Sequence, residues 1–210
     1  MFTQEPVTAN NFCDAFLASY SMVRARFADD KRWQEIFTTR AWNTIMLWQP
    51  TATYYPPQEI ELSVLAETAK KLGICYANGE PLRIDAVFST EKCWFPILVA
   101  IEHENDWRGF ESEIRKLLSI RSTLKVGITY TGDTPKGHQY REKLARTIEE
   151  DFAEVSLVIG EDPKTEYLFL VGAESEKQEI SCWYSLHFRA DTGPRNRRFE
   201  PTAQATRKAA

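Results

Sequence analysis

The sequence predicts an α/β fold, a central mixed sheet flanked by helices, with a helical elaboration ahead of it. Three observations carry this. Ile97-Leu98-Val99-Ala100-Ile101 is an unbroken apolar run bounded by Pro96 and by Asn105-Asp106, the pattern of a strand buried on both faces. Phe110, Ile114, Leu117, Leu118 and Arg121 then fall on one helical face, and Leu124 to Tyr130 alternates as a second strand. Strand, helix, strand at this spacing is a βαβ unit, right-handed and parallel. The third observation is size. A chain of 210 residues that is 43% hydrophobic and 27% charged can bury a substantial core as one domain with an elaboration.

The boundaries follow from the same patterning. Residues 1–57 form the helical elaboration. Phe12, Phe16, Leu17, Tyr20 and Val23 recur at helical spacing behind Asn10 or Asn11 as cap, and Asp29 or Asp30 can cap a second helix. An aromatic segment, Trp42 to Trp48, stops at Pro50 and is read as core, and 51–57 is a loop. Residues 58–190 are the α/β core. It starts with a helix, Glu59 to Leu72, closed by Gly73, and a short alternating strand, Leu82 to Phe88, placed to pair with the apolar run. After the βαβ unit come a charged helix, Gln139 to Phe152, and strands at Val155–Ile159, Glu166–Val171 and Ile180–Phe188, the last two antiparallel. Residues 191–210 lose all periodicity and are expected to be a disordered basic tail.

Composition narrows the function classes. A formal net charge of -4 opposes a uniformly basic coat but not a local basic groove. Cys13, Cys75, Cys93 and Cys182 lack metal-like spacing and read as buried thiols of a reducing compartment. With no signal-like N-terminus and no apolar stretch long enough to span a bilayer, a soluble cytoplasmic protein is expected. Gly-x-Gly-x-x-Gly, Walker-type and Gly-x-Ser-x-Gly motifs are absent, so nucleotide cofactors and serine hydrolysis have no support.

The chemistry gathers where the apolar strand ends. Glu102 and Glu104, two residues apart, share a strand face, and Asp85 lies on the strand expected to pair beside them. Convergent carboxylates are the oxygen ligands that hard divalent cations require. Glu67, on the flank of the preceding helix, is a candidate fourth. His103 points to the opposite face and is expected to pack under a helix. A pair of glutamates on one strand face is too close and parallel to flank a sugar ring, which disfavours glycoside hydrolysis. A solvated strand end paired with Arg83, Arg108 or Arg115 is the structural alternative.

Asp85, a hairpin-sized gap, an apolar strand ending Glu102-x-Glu104, a helix and a parallel strand resemble the PD-(D/E)xK nuclease superfamily, over roughly residues 59–130. The resemblance implies a restriction-endonuclease-like core, Mg2+ or Mn2+ as cofactor, DNA as partner, and magnesium binding at Asp85 and Glu102, with Glu67 as an upstream helix ligand. The family's lysine falls where this chain has Glu104. Lys116 on the following helix is the replacement candidate, although its helical angle turns it away from the apolar face. Lys125 starts the next strand at the wrong end, and Arg121, on the buried face, is always charged. Glu104 would then be a third metal ligand or a general base, or the site has lost its chemistry. Arg195, Arg197 and Arg198 in the tail are candidate phosphate contacts. A metal-dependent nuclease is the first reading, and a non-catalytic module binding nucleic acid or protein the second. Symmetric cutting of a duplex would require a homodimer.

Overall fold

The computed structural model describes residues 7–26, 46, 63–78, 83–90, 95–105, 108–175 and 179–202. The expected helix after Asp29, the loop at 51–57 and all of the Trp42–Trp48 segment except Met46, a buried helical residue, lie outside them. The helices are α1 (Ala9–Arg26), α2 (Val64–Lys71), α3 (Phe110–Ser119) and α4 (Pro135–Ile159). The strands are β1 (Cys75–Asn78), β2 (Ala86–Ser89), β3 (Ile97–His103), β4 (Leu124–Gly132), β5 (Glu166–Glu174), β6 (Ile180–Arg189) and β7 (Glu200–Pro201).

The strands form one mixed sheet in sequence order. β1, β2 and β3 are antiparallel neighbours, β3, β4 and β5 run parallel, and β6 and β7 return antiparallel. Helices α3 and α4 are the crossovers of the parallel part, as the βαβ pattern predicts. Each face of the sheet carries its own core. On one, Phe12 and Phe16 of α1 and Val64 and Leu65 of α2 cover Val99, Ile101, Val126 and Ile128. On the other, Phe110 and Ile114 of α3 and Leu144 and Ile148 of α4 cover Ala100, Phe169 and Phe188. β3 is therefore buried on both sides, which is why its sequence is apolar without alternation.

Local chemistry sets the element ends. Ahead of α1, Thr8 N–H donates to Asn11 Oδ1 (2.8 Å) and Asn11 N–H returns to Thr8 Oγ1 (3.3 Å). This reciprocal cap starts the helix one residue before the expected asparagines. Ser63 Oγ accepts from Ala66 N–H (3.0 Å) at the start of α2, and Gly73 at φ +67° ends the turn behind it.

Several expectations need correction: Ser63 caps α2, which begins at Val64 rather than Glu59, and the strand expected over Leu82–Phe88 runs over Ala86–Ser89. Val155–Ile159 is the last part of α4, which ends only at Gly160 (φ 61°). A short apolar run does not distinguish buried helix from strand, and extending an existing helix needs no new nucleus. Helix α3 stops at Ser119 because Ile120 turns extended, so Arg121 lies beyond it and is exposed rather than on a buried face. The stretch from 191 to 202 is folded. Gly193 N–H donates to Arg189 O (2.9 Å), Arg197 N–H to Pro194 O (2.8 Å) and Thr202 N–H to Trp183 O (2.9 Å), and β7 pairs with β6. Backbone groups found partners that side-chain periodicity cannot reveal. Residues 203–210 lie outside the described set.

The thiols of Cys13, Cys75 and Cys182 are free and half-buried, while Cys93 is not described. Burial, reinforced by the charge of Asp14, pushes the Cys13 thiol up to about 11. Among the described residues no helix is long and apolar enough to cross a membrane.

Candidate active site

The antiparallel register sets Ala86 against Ile101, so one step further Asp85 stands across from Glu102. Parity places both on the α3 face, with Val87 and Ala100. There Glu102 is completely buried, and neither carboxylate oxygen accepts a hydrogen bond of good geometry. Asp85 is better provided: its Oδ2 accepts from the His103 backbone N–H at 2.8 Å.

Lys116 of α3 closes the cluster. Its ammonium lies 3.0 Å from Glu102 Oε1, contacts Glu113 one turn earlier on the same helix, and donates to the Arg83 carbonyl at 3.2 Å. The approach to Glu102 brings the charges together without aligning a hydrogen bond. The helical-angle objection to Lys116 fails because a four-carbon stem can lie along the helix surface and curl its head back toward the sheet. Arg83 contributes through its backbone. It adopts φ +65°, a conformation rare for a side-chain-bearing residue, and its carbonyl then meets Lys116.

The electrostatics follow from burial. Desolvation, followed by the charge of Asp85, pushes the Glu102 carboxyl up to about 9 against the opposing Lys116. Burial also raises Asp85, while the His103 N–H, Glu102 and Lys116 hold it down in part. For Lys116 burial acts to lower the pKa, but Glu113 and Glu102 outweigh it and the net shift is upward. The ammonium is therefore a fixed positive charge at neutral pH.

No family model, no characterised protein and no solved structure matches this chain. The reading of the site rests on its own geometry.

The sequence-predicted residues divide accordingly. Asp85, Glu102 and Lys116 come together. Glu104, half-buried one residue past β3, anchors its backbone N–H on Ile128 O at 2.9 Å. The charges acting on Glu102 come from Asp85, Lys116 and Glu113. Glu67 sits on α2, in the layer on the other side of the sheet, and its ion-pair partner is Lys70 at 3.6 Å. Among the described residues no group of three or more His, Cys, Asp or Glu is arranged to hold a metal ion. His103 takes the opposite face, as alternation predicts, buried with Nε2 2.8 Å from the Tyr130 hydroxyl. Glu113 was not foreseen, and its only signal was its spacing of three from Lys116. Lys125 is fully buried at the other end of β4, paired with Glu161 at 2.6 Å. Of the tail arginines, Arg197 and Arg198 line a groove beside α4, whereas Arg195 is exposed outside its lining.

Asp85 and Glu102 are adjacent carboxyls, Glu102 fully buried with the Lys116 ammonium 3.0 Å away, and their oxygens are the donor type a hard cation takes. Magnesium commonly takes only one or two carboxylates, the remaining positions being filled by water and substrate phosphate.

Proposed function

We propose that the chain is a metal-dependent nuclease hydrolysing phosphodiester bonds of DNA, with Asp85 and Glu102 as the magnesium-binding pair and Lys116 as the active-site cation. The observation that carries it is Glu102, a fully buried carboxyl set beside Asp85 and facing the Lys116 ammonium, which Glu113 and the Arg83 carbonyl hold from two other directions. Holding two carboxyls side by side in a buried place is costly unless positive charge compensates them. The succession of β2, β3 ending in acid, α3 and parallel β4 supports the resemblance to the PD-(D/E)xK superfamily.

Each residue then has a physical role. A bound cation supplies charge neutralisation at the phosphate and a more acidic water. Asp85, oriented by the His103 N–H, and Glu102 provide the oxygens that hold it. Lys116, kept charged chiefly by Glu113, supplies positive charge where negative charge develops on the phosphoryl oxygens. Its raised pKa makes it an electrostatic stabiliser rather than a proton acceptor.

The test is calorimetric titration of Mg2+ and Mn2+ into wild type, Asp85→Ala and Lys116→Met, with cleavage of circular and linear DNA alongside. Metal binding lost in Asp85→Ala but retained in Lys116→Met, with cleavage reduced on the order of 10²-fold or more in both, is the expected result. If wild type takes up no ion, the nuclease reading fails, and a binding module on the same scaffold takes its place.

A further inference from the structure

A groove of about 660 Å³ runs between α4 and the segment that follows β6. Arg141, Arg146, Arg197 and Arg198 line it, with Tyr184 and Phe199 among them. Glu142 and Glu149 are the acidic lining residues, so positive charge prevails. Both are already engaged: Glu142 lies 3.9 Å from His138, and Glu149 accepts from Asn196 N–H at 3.4 Å.

Arg141 is the telling residue. It is 7% exposed, and among the described residues no carboxylate lies within ion-pair distance of it. Its guanidinium donates to Thr131 Oγ1 at 3.0 Å and stacks 4.0 Å from the centre of the Tyr184 ring. A guanidinium has five N–H donors, and a buried arginine is normally neutralised by an acid. Here one hydroxyl and one ring face hold it in place and leave most donors directed elsewhere. Arginines converging on one concavity match the bidentate geometry and multiple charge of a phosphate better than a single carboxylate.

We propose that this groove binds a phosphate-bearing ligand, with the buried Arg141 as its base, the exposed Arg146, Arg197 and Arg198 as further contacts, and Tyr184 and Phe199 as apolar walls for a base. None of these residues belongs to the carboxylate cluster, so the site stands independently of the cleavage reading. The phosphate could belong to a nucleic-acid strand or to a small phosphorylated molecule, and the two sources are separable.

The experiment uses the full chain in EDTA, which removes metal-dependent contacts. Binding is measured by fluorescence anisotropy of a fluorescein-labelled single-stranded oligodeoxynucleotide, and by calorimetry with adenosine monophosphate and with inorganic phosphate. Variants are Arg197→Ala/Arg198→Ala, Arg141→Gln with its folding checked by circular dichroism, and Lys71→Ala, an exposed charge on α2, as a remote control. The expected result is binding of at least one probe, weakened about tenfold or more by the double variant and by Arg141→Gln, and unchanged in Lys71→Ala. Oligonucleotide binding that inorganic phosphate displaces only weakly assigns the groove to a strand. The double variant should then reduce the slope of log affinity against log salt by about 2. Tight binding of the monophosphate with a weak oligonucleotide assigns it to a small ligand. Failure of all three probes, or equal affinity in wild type and both arginine variants, overturns the proposal whatever the metal titration shows.

Discussion

Glu102 holds its proton through the neutral range because burial and the neighbouring Asp85 outweigh the help that Lys116 gives its charged form. Its carboxyl goes from an ordinary 4.5 to about 9, first through burial and then through Asp85. Because the folded value lies above the unfolded one, the associated stability is complete below pH 4.5 and is lost as pH rises through 9. Glu102→Gln, which cannot ionise, should therefore stabilise the metal-free protein at pH 7 by on the order of 2 to 3 kcal/mol. Urea unfolding at pH 5 and pH 8 checks this: the advantage of the variant must grow with pH, and a constant difference would refute the burial argument. His103 behaves in the opposite sense. Burial pushes its imidazole down to about 3, so it contributes stability present above 6.5 and lost as pH falls toward 3. Wild type should lose roughly 1.4 kcal/mol per pH unit in that window, and His103→Gln should lose measurably less.

Two interfaces decide whether the elements bring these residues together. Gly127 of β4 is in register with Glu102 of β3 and lies beneath Phe110 of α3. A Cβ there would come within 2.7 Å of Phe110 Cζ and of Phe169 Cδ1, both buried ring atoms. Gly127→Ala should cost about 1–3 kcal/mol and shift α3, carrying Lys116 with it. Under the nuclease reading, cleavage should then fall further in this variant than in an equally destabilised variant remote from α3. At the other end of β4, Lys125 is buried against Glu161, Tyr167 and the Leu118 carbonyl. Lys125→Met leaves Glu161 without its counter-ion and should cost about 3–5 kcal/mol, most of it recovered by also changing Glu161→Leu. Chemical denaturation of the single and double variants reads this directly, and additive losses would contradict it.

For the whole molecule, a cation held by Asp85 and Glu102 links the site to global stability. If the ion binds the folded chain alone, a concentration a hundredfold above its dissociation constant adds about 2.7 kcal/mol. For a chain of this length that should raise the melting temperature by roughly 5–10 °C. The rise should disappear in Asp85→Ala, and thermal scans with and without magnesium measure both arms. A wild-type melting point insensitive to magnesium would count against the ion-binding pair. The arginine groove makes a separate prediction, since its ligand should stabilise the chain in EDTA as well.

Much of this architecture was legible in the chain. The apolar run of β3 encodes burial on two faces and the periodicity of α3 and α4 burial on one, whereas β4 alternates in sequence yet is buried on both faces, Lys125 and Thr129 included. The carboxylate pair was legible for the same reason, since Asp85, one residue ahead of β2, and Glu102 of the paired β3 stand at matched parity, with His103 on the opposite face. The lysine was not. Lys116 reaches Glu102 through a flexible stem whose course depends on Glu113, the Arg83 carbonyl and the height at which α3 sits over the sheet. The end of α4 and the folded course of 191–202 were hidden because a short apolar run fits helix or strand, and because backbone hydrogen bonds leave no side-chain period. What the sequence determined by itself is local periodicity and the parity of each strand. Tertiary structure decided which charges meet across elements, because that depends on packing distances and side-chain reach that no spacing along the chain encodes.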